Sequence, residues 1–379
     1  VTSSVGRRVL GALVAVALTA AAGLISWRVL RPAEVSYPLS APYPAAPASP
    51  GPGVIARFLG ASLVVDGRLR IYANSGSVRA DTPADATTQR TPVWSYRRWP
   101  ARLGGVAAVG PTVVTHWSDG RVVALDARTG TVAWRADAPP APAWPGRRTG
   151  AATLWQPPGL HTSGATVLVT GDRTVALDAA TGATRWTAPT PCPGGFTTAG
   201  GLLVCAGTAR TAATGAPAAW PPGPATPLGC AAAASACAGA RSATGEGWLT
   251  TAATPARTPA LDPPGATAAG DVVVTPAPDG FTASAGWRWT GTATVLATQP
   301  GRVHLLTPDR HLVTLDAATG AVRSSFPYTF GRERPTWTPG AVYAADGYVA
   351  VERLAPDPDP DGPDAAYYFT SQTVLLAAT

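Results

Sequence analysis

The chain has 379 residues, of which 46% are hydrophobic and 13% charged, with 41 Gly, 40 Pro, 13 Trp, no Met and a formal net charge of +7. The charge is modest, and apart from Arg97-Arg98 and Arg147-Arg148 the Arg residues are scattered. A nucleic-acid partner, which calls for a clustered basic face, is therefore excluded. The Gly, Pro, Ala and Arg content is what GC-rich codons supply, which points to a high-GC bacterium.

In chain order, Arg7-Arg8 precede an uncharged run that reaches Trp27, and Arg28 and Arg31 follow it. About 20 apolar residues cross a bilayer as a helix, so residues 9–27 are predicted to be a transmembrane signal-anchor helix. Residues 1–8 are then cytoplasmic and everything after the helix is extracytoplasmic, at the cell membrane. The alternative is a cleaved signal peptide, with Ala20-Ala21-Ala22 supplying small residues at the cleavage site. Residues 28–53, rich in Pro and Ala and without periodicity, are predicted to form a semi-stiff linker. From residue 54 to 379 the chain is long enough for one large all-β domain.

Three segments of that domain are nearly identical: Val123–Trp134 (VALDARTGTVAW), Val175–Trp186 (VALDAATGATRW) and Val313–Phe326 (VTLDAATGAVRSSF). In the second, Val175 and Leu177 alternate with Ala176 and Asp178, the period of a strand with one buried face. Asp178 and Thr181 can bond nearby backbone in a tight turn, and Gly182 can take the positive φ such a turn needs. Asp126, Thr129 and Gly130 repeat the pattern, as do Asp316, Thr319 and Gly320. The aromatic that ends each copy is too large for a hairpin to bury alone, so it must pack on a neighbouring unit. Weaker copies extend the series, and the closing aromatics are Trp94, Trp134, Trp186, Trp220, Trp248, Trp289 and Phe326. Their spacing suits four-stranded blades of about 40–45 residues with variable loops. The predicted fold is thus an all-β propeller of seven or eight blades, with eight favoured.

Four cysteines fall in two close pairs, Cys192 with Cys205 and Cys230 with Cys237, without a CxxC doublet. In an oxidising compartment two local disulfides are predicted, with Cys205–Cys230 as an open alternative. The string Asp357–Asp364 (DPDPDGPD) has the spacing of the start of a calcium loop. The acid expected at position twelve falls on Tyr368, however, and the reading is a solvated acidic loop. His116, His161, His304 and His311 are dispersed, although His304 and His311 lie on neighbouring predicted strands and could face one another. Trp99, Trp117, Trp144, Trp155, Trp287 and Trp337 are left over from blade closure, free to line a funnel or a binding face.

The ALDxxTGxxxW pattern resembles the repeat of the pyrroloquinoline-quinone-type (PQQ-like) β-propeller family, over roughly residues 54–379. That family includes quinoprotein dehydrogenases and cofactor-free outer-membrane assembly propellers, and the resemblance implies the fold directly. A dehydrogenase would carry PQQ with calcium, a catalytic carboxylate and a vicinal cysteine pair. No adjacent cysteines occur here, and no residue matches the family's catalytic positions. Catalytic, cofactor-binding and metal residues are therefore expected to be none. The expected function is a non-catalytic, membrane-tethered scaffold or sensor that binds a protein partner at the cell surface. The alternatives are a quinone-dependent dehydrogenase with divergent site residues and a glycan-binding propeller.

Overall fold

The computed structural model describes residues 2–39, 42–43, 45, 51–88, 92–142, 144, 149–332, 337–345, 347–354 and 373–379. The chain begins with a helix, Thr2–Leu30. Its Leu10–Arg28 stretch is long and apolar enough to cross a membrane and is not buried against the rest of the chain. Among the described residues the strands then form eight antiparallel sheets, one of five strands and seven of four. We number these blades in chain order: 63–99 (blade 1), 103–137, 160–188, 196–218, 225–257, 267–290, 294–327 and 338–378 (blade 8). First strands of successive blades pack side by side, which sets them around a common axis. The fold is an eight-bladed β-propeller.

The ring closes by pairing the two ends of the domain. Gly53–Phe58 is the outermost strand of blade 8 and runs antiparallel to Thr373–Ala378, with Val54 opposite Ala377 and Phe58 opposite Val374. Closure leaves no open side between first and last blades, the usual liability of a β-sheet.

Part of the segment read as a spacer is instead folded into the ring. Ala33–Tyr37 lies antiparallel to Trp94–Trp99 and adds a fifth strand to blade 1, pairing Ala33 with Trp99 and Tyr37 with Ser95. The reason is local: an outer strand offers unpaired N–H and C=O groups, and Glu34 finds cationic partners in Arg135 and Arg98. Burial alone would raise the Glu34 carboxyl, but the Arg135 guanidinium holds it below its ordinary range. Leu39 N–H then bonds Thr129 O at 2.6 Å, so the segment is tied to blade 2 as well.

The core consists of clusters between successive blades. Val114 and Val122 meet Leu160 and Val167 between blades 2 and 3. Val274 and Phe281 meet Val303 and Leu305 between blades 6 and 7. Middle strands are therefore covered on both faces. Val175, Ala176 and Leu177 are all buried, where alternation alone had suggested one buried face.

Candidate functional site

The repeat turns account for the recurring Asp, Thr and Gly of the three near-identical segments. Asp178 Oδ1 accepts N–H bonds from Ala180 and Thr181 at 3.0 and 2.9 Å and the Thr181 hydroxyl at 3.0 Å. Asp316 does the same with Ala318 and Thr319. Asp126 Oδ1 accepts from Arg128 N–H at 2.8 Å, and the Thr129 hydroxyl contacts that of Thr131. Arg185 and Arg323 pair with Asp178 and Asp316 and hold these carboxyls at about 2. Carboxylates so fully engaged are not poised to exchange protons near neutrality.

Four of the turn glycines, Gly130, Gly182, Gly215 and Gly320, receive a tryptophan from the preceding blade. A β-carbon on Gly130 would lie 2.5 Å from Trp94, one on Gly182 2.6 Å from Trp134, and one on Gly215 2.6 Å from Trp186. The indole N–H in each case donates to a carbonyl of the next blade: Trp94 to Ala127 (2.8 Å), Trp134 to Ala179 (2.9 Å) and Trp186 to Ala212 (2.9 Å). Between blades 6 and 7 the docking residue is Trp287, over Gly320 and bonded to Ala317 O at 2.7 Å. Trp289, two positions on, packs instead on Phe281 of its own blade. The pattern TASAGWRWT presents two Trp two positions apart, Trp287 just before the strand Arg288–Thr290 and Trp289 within it, so spacing alone could not separate them.

The remaining closing aromatics are placed differently again. Trp220 meets Phe196 edge-on in blade 4, Trp248 lies under Arg257 in blade 5, and Phe326 packs half-buried between blades 7 and 8. No side chain comes within 4 Å of a β-carbon built on Gly245 or Gly286. The Trp-on-Gly joint is thus missing between blades 4 and 5 and between blades 5 and 6.

Disulfides occupy the sector next to that gap. Cys192 is bonded to Cys205 and Cys230 to Cys237. The first packs with Leu168, Trp186 and Leu203 between blades 3 and 4, and the second with Phe196 and Leu202 between blades 4 and 5. Closing a loop of this length restrains the unfolded chain by about 2–4 kcal/mol. Replacing both Cys192 and Cys205 with Ser should lower unfolding stability by about that amount, read as a lower urea midpoint.

The axis of the ring is filled by two insertions. Thr149–Trp155 leaves blade 2 and turns through a short helix, Ala151–Leu154. Trp155, 1% exposed, stacks on Tyr343 of blade 8 at 5.9 Å and donates its indole N–H to Ser62 O at 2.9 Å. Thr149 bonds the buried Glu352 carboxylate of blade 8. From blade 5, the disulfide loop 230–237 reaches back across. Ala233 N–H donates to Trp155 O (2.8 Å), His161 Nδ1 contacts Ala233 O (2.8 Å), and Ser235 Oγ accepts from Thr162 N–H (2.9 Å). Ala233, Ala234 and Ala236 have φ of 64°, 45° and 48°. Left-handed alanines are strained, and such strain persists only where the surroundings over-determine it. Here the disulfide and the bonds to blades 2, 3 and 4 do so.

Beside the plug lies a cavity of about 350 Å³, lined by Val64, Ala107, Thr162, Ala232 and Tyr343 among others. Its one carboxylate, Asp66, accepts a hydrogen bond from Tyr43 and lies 4.0 Å from Arg68. Burial, with Asp66 beside it, pushes the Tyr43 phenol up to about 12. Calcium takes six to eight oxygen ligands, and alanines, valines and one engaged carboxylate do not supply them. Among the described residues no three His, Cys, Asp or Glu side chains converge as a metal set. The lining does not fit a calcium-bound quinone, and no step through one is derived. The acidic string 357–364 lies outside the described residues, as do Arg147 and Arg148.

The histidines are structural in placement. His304 is cross-strand from Thr314 and bonds its hydroxyl, whereas His311 pairs across from Pro327 and lies 2.9 Å from Asp309. The two do not face one another, because the register offsets them along the blade. His116 and His161 are buried and, with His304, are shifted down by desolvation, His304 to about 4. A histidine whose folded value is depressed favours unfolding on acidification, so stability present above about 6.5 is lost as pH falls towards 4. The His304 contribution to that loss is on the order of 3 kcal/mol. Melting temperature should therefore drop between pH 7 and 4, and His304→Gln should flatten that slope.

Of the unassigned tryptophans, Trp117 and Trp337 are buried under Arg98 and Arg310, and Trp144 packs half-buried on the core around the plug. Trp99 alone of these six is exposed, at 49%.

With this geometry in hand, residues 118–216, spanning parts of blades 2 to 4, match the family described as outer membrane protein assembly factor BamB. No curated protein matches the sequence. Among solved structures, BamB from Moraxella catarrhalis is 16% identical, covering 88% of this chain and 99% of its own, with a TM-score of 0.43. The computationally designed Ika8 protein is 12% identical, covering 86% and 99%, at 0.45. A quinohemoprotein alcohol dehydrogenase from Pseudomonas putida HK5 is 14% identical, covering 86% and 76%, at 0.39. The Asp-x-x-Thr-Gly turns and the glycine-docked tryptophans belong to an eight-bladed β-propeller, of which residues 118–216 match that family's model.

Proposed function

We propose that this protein is a membrane-tethered scaffold on the extracytoplasmic side, binding a protein partner through the loop-built faces of the ring and catalysing no reaction. The observation that carries this reading is the plugged axis. Trp155, Tyr343 and the loop 230–237 occupy the middle of the ring, and the cavity beside them is lined mainly by Ala and Val, which favours the rim loops as the binding surface. The assembly-factor description matched by residues 118–216 supports the same reading. Two disulfides favour an oxidising compartment, and the apolar Leu10–Arg28 stretch supports a membrane tether. The test is crosslinking in native membranes followed by pull-down through a C-terminal tag. A reproducible, near-stoichiometric protein supports the scaffold. Tight binding of PQQ with calcium, accompanied by dye-linked alcohol oxidation, would overturn it.

A further inference from the structure

We infer that the outer edge of blade 1 is a docking surface for an anionic bilayer, so that the ring is held edge-on against the membrane it is tethered to. This rests on the tethered reading above and adds an orientation and a lipid preference to it. The first observation is chain length. The apolar stretch ends at Arg28 and the helix at Leu30, and the fifth strand of blade 1 already begins at Ala33. Three extended residues reach about 10 Å, which is comparable to the headgroup region flanking the hydrocarbon core. Because Ala33 is paired with Trp99 and Val35 with Arg97, both rows of side chains are confined near that surface.

The second observation is what those rows contain. Pleating divides the strand pair into two faces. Glu34, Ser36 and Arg98 point towards blade 2: Glu34 pairs with Arg135, Ser36 bonds Gly130 O, and Arg98 makes a two-pronged pair with Asp119 at 3.0 and 2.8 Å. Every acid of this edge is consumed there. The other face carries Val35, Tyr37, Arg97 and Trp99, all exposed, and with Arg102 it lines an open cleft of about 670 Å³. Neither Arg97 nor Arg102 has an acidic partner among the described residues, the Arg102 guanidinium bonding Ser75 Oγ at 3.1 Å. Arg31 adds a further cation, lying over Trp27 at the helix end. Tryptophan, tyrosine and arginine are the side chains that favour a lipid–water boundary, and basic groups within about one Debye length of anionic headgroups are attracted to them. Blade 5, opposite blade 1 in the ring, would then stand farthest from the membrane with its disulfide loop.

The chain has no free cysteine, so a single Val35→Cys can carry a fluorophore, with Val322→Cys on blade 7 as the control. Full-length protein is reconstituted into phosphatidylcholine vesicles, with and without phosphatidylglycerol, containing a headgroup-linked quencher. Quenching at position 35 should exceed that at 322 by about twofold or more in phosphatidylglycerol vesicles. It should fall by about half on Arg97→Glu with Arg102→Glu. Equal quenching at the two positions in protein that resists alkaline extraction overturns the docking while leaving the tether intact. Release by alkaline extraction overturns the tether and the docking together. Quenching indifferent to phosphatidylglycerol and to charge reversal overturns the anionic preference. Protection of position 35 in native membranes but not in vesicles assigns the cleft to a protein instead.

Discussion

Trp155→Ala should destabilise the protein by about 3–5 kcal/mol, the range for truncating a buried tryptophan. The indole stacks on Tyr343, bonds Ser62 O and sits in the cluster joining blades 1, 2 and 8, so its loss opens a cavity at the centre of the ring. It also loosens the seat of Ala233, whose N–H is held by the Trp155 carbonyl. Urea unfolding measures the loss, and limited proteolysis of the loop 230–237 reports whether the plug has released. Trp155→Phe retains an aromatic stack but leaves Ser62 O without its donor, and should cost about 1–2 kcal/mol. A loss below 1 kcal/mol for the alanine variant would show that the axis can collapse around the gap and that the plug does not brace the ring.

The second large effect is expected at the joint between blades 1 and 2. Trp94 is 1% exposed, lies over Gly130 and donates to Ala127 O, and Trp94→Ala should also cost about 3–5 kcal/mol. The glycine side of the joint gives a sharper test. Gly130→Ala forces a β-carbon to 2.5 Å from the ring, whereas Gly245 has an equally positive φ, 89° against 72°, with open space around it. Both substitutions incur the backbone cost of a left-handed alanine, about 1 kcal/mol. Only Gly130→Ala adds a steric cost, of about 1–3 kcal/mol. Equal losses at the two glycines would mean that the indole shifts freely and does not lock the blades.

The contrast between these glycines also marks where reading the repeat reaches its limit. Three copies, VALDARTGTVAW, VALDAATGATRW and VTLDAATGAVRSSF, encode the turn outright: Asp bonds the backbone two and three residues on, and Gly takes the positive φ. Those are local interactions within a few residues, and local chemistry is legible along a chain. Trp287 was hidden by Trp289 because the two stand two positions apart, and the choice depends on the turn of the next blade. Ala33–Tyr37 looked like spacer because five residues beside prolines carry no period of their own; an unpaired edge more than fifty residues away makes them a strand. Trp155 belongs to no repeat and announces itself by no motif.

The sequence by itself therefore determined the repeating hairpin with its Asp-Thr-Gly turn, the apolar N-terminal helix and the close spacing of the cysteine pairs, since each rests on residues near in sequence. Only the tertiary structure decided that the blades number eight, that Gly53–Phe58 closes the ring with Thr373–Ala378, that the axis is sealed by Trp155 and the disulfide loop, and that the acid-free face of Arg97, Trp99 and Arg102 adjoins the helix end. Those depend on residues up to hundreds of positions apart, brought together by ring closure rather than by any local pattern.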